Sequence, residues 1–281
     1  MINLTEIADF DAVWGEKVRA SAMERIHDDA LEQNFWKQYI ENKSGYAPDP
    51  SSRCVLRRLL PILESHGVET ALEIGPGWGN YTMDLARFCR SVDCVDISAD
   101  ILDYIRRIGA EQGLTNIGVH HKKWEDFREE KAYDLVFGYN CFYRQESLRE
   151  CFTGMSRAAK KLCVAGMNNG PTPPWTRDLR AAGVRIREDW KDYIYFVNVL
   201  YQMGYQPQLV VLPFEKPLRY ASMEELIRRE IAAGTEDGYD RTAAEAIARR
   251  YFRETEDGSF TGSTNIHCAL VCWDPGWREG E

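Results

Sequence analysis

The sequence predicts an α/β fold in which a mostly parallel sheet carries helices on both faces. Three features support that prediction. The apolar run Thr70-Ala71-Leu72-Glu73-Ile74 passes directly into the glycine-rich turn Gly75-Pro76-Gly77-Trp78-Gly79, and a helical pattern follows over Asn80 to Phe88. About twenty residues beyond that turn, a second strand-like run, Val92-Asp93-Cys94-Val95-Asp96, ends in an acid. Strand and helix patterns then keep alternating, with strands expected at 117–121, 133–137 and 161–167 and helices at 99–112 and 145–159. Alternation of this kind implies crossover units and parallel strands, with a ligand site outside their carboxyl ends.

Residues 1–46 read as amphipathic helix, with apolar positions at Ile7, Phe10, Val13 and Trp14, then at Ile26, Leu31, Phe35, Trp36, Tyr39 and Ile40. The stretch from Ser44 to Pro50 breaks this pattern. Ser51 or Ser52 is placed to cap a further helix with Val55, Leu56, Leu59 and Leu60 on one side, which Pro61 is expected to kink or restart. Gly113 reads as a helix C-cap. After Met167 the order changes: Asn168 to Trp175 reads as loop, 187–203 as a helix ended by Gly204, and 208–212 as a strand. Ser222 with Glu225, and Thr242 with Glu245, have capping-box spacing and should open helices at 222–233 and 242–254. The last strand is expected at 266–273. The organisation implied is a helical segment at 1–50, a core at 51–213 and 262–281, and a helical insertion at 214–261.

An apolar content of 44% with 28% charged residues is that of a globular domain. No run reaches the length of a membrane span, and Met1 to Glu6 lack the form of a signal peptide, so a cytoplasmic protein is expected. A formal charge of −9 argues against nucleic acid as a partner. The basic pairs are scattered among acids, so any basic patch would have to be created by folding. The eight cysteines form no C-x-x-C pair, and most sit in apolar runs as small hydrophobes. Cys141, just past a strand at the ligand edge, is the one weighed as a nucleophile. His120 and His121 point to opposite faces of a strand and cannot share an ion, so no metal site is expected.

The glycine turn lets backbone amides approach a ligand, and an acid one strand later can reach a ribose, which points to an adenosine-containing cofactor. The glycines fall as G-x-G-x-G, with Asn80 where the dinucleotide fingerprint places its last glycine, and Glu73 stands two positions before the first. With Asp96 and the later run Tyr133-Asp134-Leu135-Val136-Phe137, this arrangement resembles the class I S-adenosylmethionine-dependent methyltransferases, over roughly Cys54 to Met167.

The resemblance implies a Rossmann-like, doubly wound, mostly parallel seven-stranded sheet, with an N-terminal helical lid and a helical insertion before the last strand. It implies S-adenosyl-L-methionine as cofactor. Amides of Gly75, Gly77 and Gly79 would lie beside its amino-acid portion, Glu73 would accept from its ammonium and Asp96 from its ribose, and Ile97 would pack on the adenine. Lys123 stands where the family often has an acid, which leaves Trp124 and Glu125 for adenine. Tyr139 would lie beside the cofactor, with Asn140, Phe142, Tyr143 and Trp175 on the substrate side. No N-P-P-Y signature follows the fourth strand, which argues against adenine, cytosine or glutamine nitrogen as acceptor. In-line methyl displacement needs no obligatory base, and Tyr143 and His120 are the candidates for one. The acceptor is expected to be a small molecule, with the insertion roofing the site or forming a homodimer contact. Two rival readings remain: a non-catalytic S-adenosylmethionine-binding sensor or partner subunit, and a nicotinamide-dependent oxidoreductase, against which the missing third glycine counts.

Overall fold

The computed structural model describes residues 8–43, 45–187, 190–236 and 238–276. Ile7, Ser44 and the last five residues of the expected core lie outside the described residues. The chain divides into two compact units. The first comprises Met1–Met167, Asp192–Leu212 and Cys268–Glu281, and the second Asn168–Lys191 and Pro213–His267. The second therefore takes in 168–191 as well as the segment expected as an insertion.

In the first unit, helices α1 (Phe10–Arg19), α2 (Asp29–Glu41) and α3 (Pro50–Ser65) precede the sheet. Strands β1 (Thr70–Ile74), β2 (Ser91–Asp96), β3 (Ile117–His121), β4 (Tyr133–Tyr139) and β5 (Ala159–Asn169) alternate with α4 (Thr82–Phe88), α5 (Ala99–Glu111) and α6 (Leu148–Ala158). Helix α7 (Pro174–Ala181) follows, then α8 (Tyr193–Gln202), β6 (Gln208–Tyr220), α9 (Met223–Leu226), α10 (Arg241–Tyr251), β7 (Arg253–Glu254) and β8 (Phe260–Trp273). The strands stand in the order β3-β2-β1-β4-β5-β8-β6, so the seven expected strands are there, with the two-residue β7 added beside β8. β1, β2, β3, β4 and β5 pair in parallel.

The chain builds outward from β1 in one direction through β2 and β3, then returns to add β4 on β1's other side. That reversal opens a crevice at the carboxyl ends, where ligands bind in open α/β sheets. The register pairs Ile74 with Val95 and with Gly138, which brings Gly75, Asp96 and Tyr139 to one edge.

Helix α3 runs on through Pro61 without the restart that is one of the two outcomes expected there. Val55, Leu56 and Leu59 before it and Leu63 after it are buried on one side, while Pro61 itself is exposed. Packing on both sides outweighs one lost hydrogen bond on the solvent face. Neither Ser51 nor Ser52 caps it. Asp49 is the N-cap residue with Pro50 at the first helical position, and Ser52 Oγ donates to Asp49 O at 2.7 Å. Gly113 does end α5 with φ of +72°, and Leu114 N donates back to Gly109 O at 2.9 Å.

The second unit has its own core, in which Trp175, Leu179, Leu226, Ile227, Ile247 and Phe252 are buried together. β5 continues to Asn169 and α7 begins at Pro174, so the expected loop shrinks to four residues. Ser222 caps α9 by accepting from Glu225 N at 3.2 Å, and Glu225 reaches back to Ala221 N at 2.9 Å. The predicted cap at Thr242 gives way to Asp240, whose carboxylate accepts from Ala243 N at 2.6 Å. A carboxylate at that position also favours the positive end of the helix dipole.

Candidate active site

A cleft of about 410 Å³ lies at the crevice of the first unit, within the usual size of small-ligand sites. Its floor is the glycine turn. Gly75 has φ of +59°, and a Cβ there would stand 2.6 Å from Cys141 Cβ, so only glycine fits. Gly77 has φ of +54°, and the rim of the Trp36 indole lies 3.4 Å from where its Cβ would be. The backbone is therefore bare on the cleft side and closely approached from above.

Glu73 lies under the turn, 2% exposed, with Oε2 accepting from Thr82 Oγ1 at 2.6 Å. Burial raises its carboxyl to about 7, against the effect of the Thr82 bond. Asp96 is half-buried at the end of β2 and accepts from Ser98 N at 2.8 Å. Burial raises it to about 6. Asn80, at the position of the absent glycine, is tied to the start of α3: its Oδ1 accepts from Asp49 N at 2.8 Å and its Nδ2 donates to Asp49 Oδ2 at 3.0 Å.

The roof is α2, whose Asp29, Glu32, Trp36 and Tyr39 line the cleft. Glu32 is 3% exposed and collects three donors: Arg25 Nη1 at 2.6 Å, Trp36 Nε1 at 2.8 Å and the Tyr143 hydroxyl. Asp29 pairs with Arg144 Nη2 at 2.7 Å and with Lys123 Nζ. Those contacts hold the Asp29 carboxyl below, and the Lys123 ammonium above, their ordinary ranges, with the Lys123–Asp29 hydrogen bond as the largest cause for each. Lys123, the departure from the resembled pattern, thus serves as an anchor for α2. Tyr39 packs edge-on against Trp78, with ring centroids 5.9 Å apart. None of these α2 residues was named from sequence beyond the apolar pattern. Two positions of that pattern, Leu31 and Phe35, face outward.

Of the residues singled out from sequence, Glu73, Gly75, Gly77, Asp96, Ile97, Trp124, Glu125, Tyr139, Asn140 and Tyr143 line this cleft. Gly79 does not. It closes the turn, donating from its N to Pro76 O at 3.0 Å, while its carbonyl accepts from Tyr46 OH at 2.8 Å. Phe142 is buried between Phe152 and Phe196, with centroids at 6.0 and 5.2 Å, and is a core residue. Trp175 belongs to the core of the second unit, packed on Phe252 at 5.1 Å. His120 is engaged on the sheet, its Nε2 2.9 Å from Asp93 Oδ2, which also accepts from Tyr133 OH at 2.7 Å. The Tyr143 phenol donates to Glu32, and burial raises its pKa further, so it is a donor and not a base. Burial likewise pushes the Cys141 thiol up, out of the range of a thiolate nucleophile.

Residues 71–161 match the family model of the methyltransferase domain. Those residues form a methyltransferase domain. No curated protein matches this methyltransferase by sequence. Among solved structures it is similar to the YcgJ protein of Bacillus subtilis, at 15% identity over 80% of this chain and 98% of that one, with a TM-score of 0.51. A protein of Bacillus halodurans C-125 is similar at 16% identity over 78% and 98% of the two chains, also with a TM-score of 0.51. These two are likenesses of fold. Among the described residues no helix is long and apolar enough to cross a membrane, and no group of His, Cys, Asp and Glu has the arrangement of a metal site.

Proposed function

We propose that this methyltransferase acts on a small-molecule acceptor within the cleft, by in-line displacement and mainly by positioning. One observation carries the reading: a bare glycine turn, a buried carboxyl beneath it and a carboxylate one strand later all open into a single space roofed by α2. Bound there, S-adenosyl-L-methionine supplies an activated methyl group and its own leaving group. Glu73 is suited to receive an ammonium, because a buried acid near neutrality ionises readily when a cation arrives. Asp96 presents a carboxylate suited to paired hydroxyls, with Ile97 beside it for an apolar ring. Trp124 and Glu125 complete the adenine end, and Tyr139, Asn140 and Tyr143 the acceptor end.

Catalysis then rests on alignment and exclusion of water. The α2 roof closes the cleft with aromatic rings, and Tyr143 is fixed by Glu32 and Arg25, with a lone pair of its hydroxyl left to receive a hydrogen bond from an acceptor. None of the candidate bases is free to act as one, which suits an acceptor already nucleophilic at neutral pH. The test is methyl transfer from methyl-labelled cofactor to a panel of small amines, thiols and hydroxyl compounds. Label transfer with stoichiometric S-adenosylhomocysteine supports the reading. Cofactor binding with no transfer to any member would favour the sensor alternative.

A further inference from the structure

A second groove, of about 980 Å³, adjoins the cleft and shares Trp124, Glu125, Arg144 and Gln145 with it. Its other walls come from α1 and α6. Two guanidinium groups in it converge on one backbone oxygen. Arg128 Nη1 donates to Glu125 O and, at 3.2 Å, to Phe127 O, and Arg157 Nη2 donates to the latter atom at 2.7 Å. Arg157 Nε is buried and has no hydrogen-bond partner among the described residues. Arg149, two turns before Arg157 on α6, lines the same groove.

No carboxylate among the described residues pairs with any of the three. The acids of the groove are otherwise placed. Glu146 pairs with Arg19 at 3.3 Å, and Asp11 caps α6 through Ser147 Oγ and Arg149 N, both at 2.9 Å. Glu125 and Glu150 are exposed. Elsewhere in this chain arginines in comparable positions are matched, as Arg25 is with Glu32 and Arg144 with Asp29. Two like charges side by side repel, and a buried N–H without an acceptor is costly, so the fold bears a penalty here that an anion would relieve.

We propose that Arg128 and Arg157 form an anion subsite that holds a phosphate group of the acceptor, with Arg149 as a third donor. Guanidinium forks suit phosphate oxygens, and two converging forks suit a dianion with several acceptor oxygens better than a single carboxylate. The shared wall at Arg144 and Gln145, next to Tyr143, gives the rest of the acceptor a path into the acceptor end of the cleft. This assignment of substrate class rests on the proposed function, whereas the subsite itself does not. It is a basic patch that folding assembles from residues scattered in an acidic sequence.

The test is titration of the full chain with inorganic phosphate at constant ionic strength, followed by phosphorus NMR line broadening, with acetate and S-adenosylmethionine titrated separately. The wild type should bind phosphate at least about tenfold more tightly than acetate. Arg128→Gln and Arg157→Gln should each weaken phosphate binding about tenfold while leaving cofactor affinity unchanged, which also shows that the variants fold. Arg128→Lys should restore part of the loss, and Arg106→Gln, on the exposed face of α5, should have no effect. Absent phosphate binding, or binding unaltered in both glutamine variants, overturns the subsite. Equal binding of acetate overturns the phosphate assignment. Phosphate binding without cofactor binding would leave the subsite standing and refute the functional reading on which the substrate class depends.

Discussion

The floor and the roof of the cleft are built on different principles. The floor is backbone and short side chains: glycines at positive φ, a carboxyl under them, and a carboxylate at the end of the neighbouring strand. Its geometry follows from the parallel register and tolerates little substitution. The roof is long side chains on one helix, fixed by ion pairs and stacked rings. A floor of this kind is set by chain geometry, whereas a roof of this kind is set by which partners folding happens to bring within reach.

Breaking the floor should cost most. Gly75→Val forces a branched residue into φ of +59° and into Cys141, and should destabilise the chain by about 3 kcal/mol or more in urea unfolding. Glu73 gives the floor a pH signature. Its folded value near 7 exceeds the unfolded 4.5, so the folded state holds more protons between those limits. Stability of the cofactor-free chain should therefore fall as pH rises through that window, by about 3 kcal/mol in all. Unfolding midpoints at pH 5, 6, 7 and 8 should show that decline, and Glu73→Gln should remove most of it, leaving a smaller slope of the same sign from Asp96.

The roof should yield more gently. Glu32→Ala strands Arg25 and frees Tyr143 and the Trp36 indole, but Arg25 is a quarter exposed and can turn to water. The expected loss is about 2 kcal/mol, with a larger proportional loss in cofactor affinity than in stability. Lys123→Ala removes a pair that is nearly half exposed at the lysine and about a third exposed at the aspartate, and should change stability by no more than about 0.5 kcal/mol. A loss of several kcal/mol there would show that the roof is as strictly determined as the floor.

What the sequence made legible follows the same division. Strand–turn–helix order, the spacing from glycine turn to acid and the seven strands were readable because each is a local pattern with a fixed period. The roof was not: Glu32 looks like an ordinary acid in the first turn of a helix, and nothing local reveals that Arg25 and Tyr143 will join its i+4 neighbour Trp36 in burying it. Aromatic residues misled for a related reason. Phe142 and Tyr143 are adjacent, yet the short helical turn Phe142–Arg144 sends one into the core and the other into the cleft. Trp175 reads as a ligand contact only when its segment is taken as loop; in a helix start packed on α10 and the residues after it, it is core. The unbroken α3 was likewise decided by tertiary packing, which sequence periodicity does not record, whereas the cap at Asp240 is a local choice over Thr242 two residues on.

The most direct test of the floor is calorimetric titration of the wild type and of Asp96→Ala with S-adenosylmethionine. Micromolar binding by the wild type, weakened at least about tenfold (about 1.4 kcal/mol) in a variant whose urea midpoint is no lower than the wild type's, is the predicted result. Equal affinity in the two proteins, or no binding by the wild type, would contradict the assignment of this cleft to the cofactor.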